Sequence, residues 1–268
     1  MESTTPEGAP VPEKGVADLL AEAFALYRTH AGPLLLICAV LFVPAAIANA
    51  WAISAILGPT LTPNGMGELA LFCLRTLATL VTTLFLYGIV LPLTNGALTI
   101  AAADRILGGQ AGWREVWTLL FRRIDKLLSA MIPASLVVTL GFMLFFFPGL
   151  VLAVLFAFVS PIVLIEGIGG RAALERSTKL VLTDWLRVAL MLAGVAVVRW
   201  LARMVTGAIV PAGSIFVSSL LADLVTMVVL PVPVLGVVLL YLDVRRKREG
   251  FDDDRLRTDL DALRRGQF

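Results

Sequence analysis

Six apolar runs, each about long enough to cross a bilayer, divide this chain, and no other feature constrains its fold as strongly. They occupy about residues 31–57, 69–103, 127–147, 148–165, 185–210 and 214–241, and a straight crossing needs roughly 20 apolar residues. In hydrocarbon every backbone polar group must find its partner within the protein, which leaves helices as the natural conformation for such runs. Hydrophobic residues make up 59% of the chain and charged residues 16%, at a mean hydropathy of +0.91, a balance that would coat a soluble protein in apolar surface. The predicted fold is therefore an all-α polytopic membrane protein with six transmembrane helices.

The polar stretches between the runs carry their own period. After Glu166, residues Leu174, Ser177, Leu180 and Val181 fall on one helical face and Arg171, Glu175 and Lys179 toward the other, the pattern of an interfacial helix. Residues 15–30 repeat it, with Leu19, Leu20, Ala23, Phe24 and Tyr27 set against Asp18, Glu22 and Arg28. So do residues 105–126, where Trp113, Val116, Trp117, Leu120 and Ile124 form the apolar stripe and the tryptophans are expected at headgroup depth. Gly15-Val16-Ala17, Gly108-Gly109-Gln110-Ala111 and Gly169-Gly170-Arg171-Ala172 open these stretches, compatible with a threefold repeat of interfacial helix plus hairpin. The alternative is the polar and apolar alternation common to any polytopic chain.

Residues 1–14 are too poor in apolar groups to pack and are expected to be disordered; 15–30 form the first amphipathic helix, 31–244 the membrane domain, and 245–268 a basic and acidic cytoplasmic tail. The run at 69–103 exceeds one straight crossing and calls for a kink, with Gly88, Pro92 and Gly96 on one face for close packing or a hinge. The third and fourth spans are predicted to meet at Pro148-Gly149.

Basic residues concentrate in the stretches around 105–126, 171–187 and 245–265, while the short loops at 58–68, 147–149 and 211–213 hold none. The positive-inside rule then puts both termini in the cytoplasm. A net charge of +2 gives no sign of nucleic-acid binding. Cys38 and Cys73 sit far apart in apolar runs and are expected to be small core residues rather than a disulfide or metal site. His30 is the single histidine, and there is no Gly-rich phosphate loop ending in Lys-Ser/Thr, no His-Glu-x-x-His and no Gly-x-Ser-x-Gly. No catalytic, cofactor or metal site is predicted.

Three groups of charged residues stand out. Arg199, Arg203 and Asp223 lie inside spans; counted from the turn at 211–213, Arg203 and Asp223 share a depth of roughly 12 to 15 Å. An ion pair of Asp223 with Arg203 or Arg199 would serve either as a clamp between spans five and six or as a polar site. Glu166 is within reach of Arg176 and is expected to tether the helix that follows, the alternative being a solvated glutamate at a helix end. Arg245, Arg246, Lys247 and Arg248 suit anionic headgroups, although such a run is also the ordinary topology signal.

Phe147-Pro148-Gly149-Leu150, Pro161, Glu166-Gly167, Ala173-Leu174-Glu175-Arg176-Ser177, and Tyr241-Leu242-Asp243-Val244-Arg245 with Glu249-Gly250-Phe251-Asp252 together carry a family resemblance. The chain resembles the membrane domain fused to some bacterial glycerophosphoryl diester phosphodiesterases, over about residues 20–263. The resemblance implies a multi-pass protein of a bacterial cytoplasmic (inner) membrane. It implies no hydrolase activity, because that chemistry belongs to a separate soluble barrel. Two functional classes remain: a non-enzymatic, lipid-interacting scaffold or membrane-complex component, or a transporter or lipid-translocating protein with a polar intramembrane site. The expected partners are membrane lipids, with a protein partner or a second copy of the chain left open.

Overall fold

The computed structural model describes residues 15–57, 65–209 and 214–266, so the expectation for residues 1–14 lies outside the described residues. The described residues form helices and no strands. In order these are α1 (Val16–Leu57), α2 (Met66–Phe85), a π-helical turn (Leu86–Val90), α3 (Leu91–Ile106), α4 (Trp113–Phe121), α5 (Ile124–Leu144), α6 (Phe146–Leu155), α7 (Val159–Pro161), a second π turn (Ile162–Glu166), α8 (Gly170–Thr183), α9 (Trp185–Ile209), α10 (Ile215–Val229), α11 (Pro231–Glu249) and α12 (Asp253–Arg265). Six of the resulting segments are long and apolar enough to cross a membrane.

The element order recurs three times: an amphipathic helix, an unbroken span, then a span with a break in it. The amphipathic start of α1 is set off from its span by a kink at His30 (φ −122°, ψ 25°). Each second span is interrupted: by the π turn before Pro92, by residues 156–158 and the π turn after Pro161, and at Leu230 before Pro231 and Pro233. Proline removes a donor and crowds the preceding turn, which accounts for the breaks that precede Pro92, Pro161 and Pro231. In the second run, where a kink is expected, the structure has the π turn Leu86–Val90. Of the face expected to pack closely, Gly96 does so, since a Cβ there would meet Leu120 Cδ1 at 2.9 Å, whereas nothing lies within 4 Å of one at Gly88.

Side chains from the amphipathic helices reach the breaks. Ser177 of α8, fully buried, donates to the Leu155 carbonyl (2.7 Å) and accepts from the Phe158 N–H (3.3 Å). Tyr27 of α1 donates to the Val228 carbonyl (2.9 Å), just before the Leu230 break. Arg123 donates to the Leu164 carbonyl (2.6 Å) and Lys126 to that of Gly167 (3.2 Å), at the end of the second π turn. The α8 pattern places Leu180 and Val181 inward and Lys179 outward, as its period predicts, with Ala173 also buried.

Four expectations need correction. The turn between the third and fourth spans is at Phe145 (φ −156°, ψ 145°), and Pro148 and Gly149 belong to the first turn of α6, where proline is tolerated because the donors there have no helical partner. Trp117 does not present its ring to headgroups: it is 6% exposed and donates its indole N–H to the Ile37 carbonyl (3.2 Å). Cys73 is exposed on α2, none of whose residues is buried, while Cys38 lies in the core. The chain after Arg245 is no loose tail. α11 runs to Glu249, Gly250 turns the chain at φ 58°, and α12 begins at an Asp252 cap that accepts from the Arg255 N–H (2.9 Å). Leu256, Leu260 and Leu263 of α12 are buried at helical spacing.

The α5–α6 hairpin closes through Gly141 and Gly149, where a Cβ on Gly141 would stand 2.9 Å from the Gly149 Cα and one on Gly149 would stand 2.4 Å from Phe142 Cγ. Gly149→Val should therefore splay the hairpin and cost about 2 to 3 kcal/mol by overpacking, read as a lower thermal unfolding midpoint in detergent. An unchanged midpoint would mean that the contact is dispensable.

Candidate functional site

Neutral polar residues on the first two spans decide what becomes of Asp223. Its carboxylate, 3% exposed, accepts from Asn49 Nδ2 of α1 (3.0 Å) and from the Tyr87 hydroxyl (2.8 Å). Thr83 in turn donates to Asn49 Oδ1 (3.0 Å). A chain of hydrogen bonds thereby joins α10, α1 and the second span, meeting the need of a buried carboxylate for donors. The expected ion pair of Asp223 with Arg203 or Arg199 is replaced by this arrangement: no salt bridge joins them among the described residues. Tyr87, which donates to Asp223, also lines a cleft with Arg199 and Arg203. What the depth count lacked was the neutral donors. Asn49 lies about two helical turns before the end of the first apolar run, so the same depth count would have found it.

Arg199 and Arg203, one turn apart on α9, line a cleft of about 430 Å³ together with Tyr87, Ser218 and Thr226. A second cleft of about 330 Å³ shares Arg199, Leu230 and Pro233 with the first and runs between Val138, Phe156 and Val234, with Asn95, Thr99 and Ser160 at its polar spots. The Leu230 break in the sixth span forms part of both walls.

A second polar layer gathers Glu166 with the ends of α8 and α11. Arg176 Nε donates to Glu166 Oε2 (3.1 Å), the residues expected to form a tether, and the Tyr241 hydroxyl donates to Oε1 (2.6 Å). Arg245 Nε lies 3.7 Å from Glu166 Oε1 and donates to Glu249 Oε2 (3.1 Å), and Glu249 Oε1 also accepts from Arg176. Arg245 stacks on the Phe251 ring, 3.7 Å from its centroid, and its Nη1 is 3.9 Å from Asp259 Oδ2 of α12. Two glutamates and two arginines thus form one network with Tyr241 between them. Burial works against the Arg176 charge, but Glu249 and Glu166 more than offset it and raise its pKa.

The same layer changes the reading of the basic run. Arg245 is buried in the network, whereas Arg246, which pairs with Asp253, and Arg248, which donates to the Thr183 carbonyl (3.1 Å), are exposed. α12 is held at its far end as well: Arg264 donates to Asp104 (2.8 Å) and Glu115 (3.0 Å). Asp104 also accepts from the Ala111 N–H (2.8 Å) across Gly109, whose Cβ would lie 2.3 Å from that carboxylate. A third clasp joins Arg187 to Asp243 (2.7 Å). Each second span therefore ends in an acid, Asp104, Glu166 or Asp243, held by an arginine from another helix. His30 Nδ1 faces its own helix, 3.3 Å from the Leu26 carbonyl oxygen. Among the described residues no group of His, Cys, Asp and Glu is placed to hold a metal ion.

Glu166→Gln should destabilise the protein by about 2 to 4 kcal/mol, because it strips a buried charge from between two arginines. Arg176→Gln should cost less, since Arg245 remains beside both glutamates; denaturant unfolding in detergent measures both. Burial raises the pKa of Asp259, with Glu166 adding to the rise and the Arg245 and Arg123 charges opposing it. The folded protein then holds this proton more tightly than the unfolded chain does. Its stabilising contribution is complete below about pH 4 and is lost as the pH rises through the folded value. Asp259→Asn should accordingly gain on the wild type as the pH is raised from about 4 toward neutrality, and parallel stability curves would exclude the effect.

Comparison of the chain with family models, with curated proteins and with solved structures finds no match, so what these sites can do is read from their own geometry.

Proposed function

We propose that this is a non-enzymatic, lipid-interacting membrane protein that lodges an amphiphile between its spans. The observation that carries this reading is a pair of adjacent clefts, one lined by two arginines and the other largely by apolar side chains, with Arg199, Leu230 and Pro233 in the walls of both. A polar head and an apolar tail need two adjoining environments of this kind. The membrane is a bacterial cytoplasmic one with both termini inside, as the positive-inside rule and the resemblance to the membrane domain of glycerophosphoryl diester phosphodiesterases suggest.

A second reading, translocation of the amphiphile, is favoured by the Leu230 break. Interrupted spans that line a cavity are a recurrent device of transporters, and α10 gives way to α11 at Leu230, directly before Pro231 and Pro233. The scaffold reading draws instead on α2, whose apolar residues Leu74, Leu77 and Leu84 are exposed and available to lipid or to another protein.

Lipids retained after purification in mild detergent test the proposal. Mass spectrometry should find an amphiphile bound near one per chain. Ala153→Phe, which fills the second cleft, should lower that occupancy severalfold while the protein stays folded. A wild-type protein that binds no amphiphile, or a variant that binds as much as the wild type, would overturn it.

A further inference from the structure

We infer that Arg199 and Arg203 form a site for the anionic head of an amphiphile, which would make the protein selective for acidic over zwitterionic lipids. The inference rests on the amphiphile-binding reading above and adds the chemistry of the head.

The first cleft holds few hydrogen-bond donors that are not already committed. Tyr87 gives its hydroxyl proton to Asp223 Oδ1 (2.8 Å), Ser218 gives its own to the Ser214 carbonyl (2.8 Å), and Thr226 to the Ala222 carbonyl (2.9 Å). Among the described residues, every hydroxyl that lines the cleft is thus committed elsewhere as a donor. The guanidinium groups of Arg199 and Arg203 also line it, and neither makes a hydrogen bond or ion pair within the protein among the described residues. An arginine offers five N–H donors and accepts nothing. A ligand here therefore has to be an acceptor, and beside two fixed positive charges it has to be an anion.

Asp223 does not supply that anion. Both of its oxygens are engaged by Asn49 and Tyr87, and it is not among the residues lining the cleft. A cationic side chain within a span costs about 2.5 to 3.5 kcal/mol by insertion scales unless it is paired or reaches water. Two such residues on adjacent turns repel each other as well. A phosphate or carboxylate head would relieve both costs and take paired donors in the geometry that guanidinium favours. The second cleft, which shares Arg199, Leu230 and Pro233 with the first, would then receive the chain attached to that head. An apolar cleft adjoining the two arginines favours a lipid over a free anion as the occupant.

The test uses the full chain, stripped of lipid in a nonionic detergent. It is titrated with mixed micelles carrying phosphatidylglycerol or phosphatidylcholine and, separately, with inorganic phosphate. Bound mass and the unfolding midpoint are recorded. Phosphatidylglycerol should bind about tenfold more tightly than phosphatidylcholine, the difference expected of one or two charge-assisted hydrogen bonds. Arg199→Gln combined with Arg203→Gln should bring the two lipids to near parity, and the paired substitutions Arg199→Lys and Arg203→Lys should keep most of the preference. If the glutamine pair does not fold, Ala222→Phe, which narrows the cleft and leaves both charges in place, should reduce the preference instead. Equal binding of the two lipids by the wild type would overturn the anionic site while leaving amphiphile binding intact; binding of neither would overturn both. A preference that survives loss of both arginines would also overturn the site. Displacement of phosphatidylglycerol by inorganic phosphate at comparable concentration would overturn the lipid as its occupant.

Discussion

Backbone groups freed by a broken helix have no water to turn to inside a bilayer, and the architecture follows from how this chain meets that need. Breaking a span releases carbonyls and N–H groups that would each cost several kcal/mol if left alone in hydrocarbon, roughly the range for a polar group without a partner. Ser177 bridges the gap between Leu155 and Phe158, Tyr27 reaches Val228, and Arg123 and Lys126 take up carbonyls at the end of the second π turn. Two of these donors sit on amphipathic helices, so those helices do more than rest at an interface. They complete the spans beside them.

The six spans, the amphipathic segments and an irregularity in the overlong second run were legible because each is written in a period or a length. α12 was legible too, in the spacing of Leu256, Leu260 and Leu263 behind an Asp252 cap, but the density of charge around it reads first as a solvated tail. The turn at Phe145 was hidden for a different reason. Pro-Gly is a common turn signal, yet proline is equally at home in the first turn of a helix, and the geometry of the preceding residues decides between the two. In the polar layer, charge alone pointed to Arg199, Arg203 and Asp223. The partners actually chosen, Asn49 and Tyr87, carry no charge and sit singly in apolar runs, where only a depth count across antiparallel spans could align them.

The two polar layers differ in how far they are satisfied. At Glu166 and Glu249, arginines meet carboxylates in near balance, with Tyr241 and Phe251 filling the space between, an arrangement that favours one fixed geometry. Around Arg199 and Arg203 the acid is already saturated by neutral donors and the cations face open space. The closed network favours one fixed geometry, whereas the two arginines on α9 have no such partners among the described residues.

Asp104 and Glu115 are clasped by Arg264, which follows them by about 150 residues. Spans enter a membrane in chain order, so Asp104 has to stay at the end of its span through the insertion of four more before its final partner has been synthesised. During that interval its contacts with Arg105 and the Ala111 N–H are what keep it from being drawn inward or misdirected. Assembly of this protein is therefore completed from its far end: the docking of residues 253–265 closes a base whose first half was laid down before most of the chain existed.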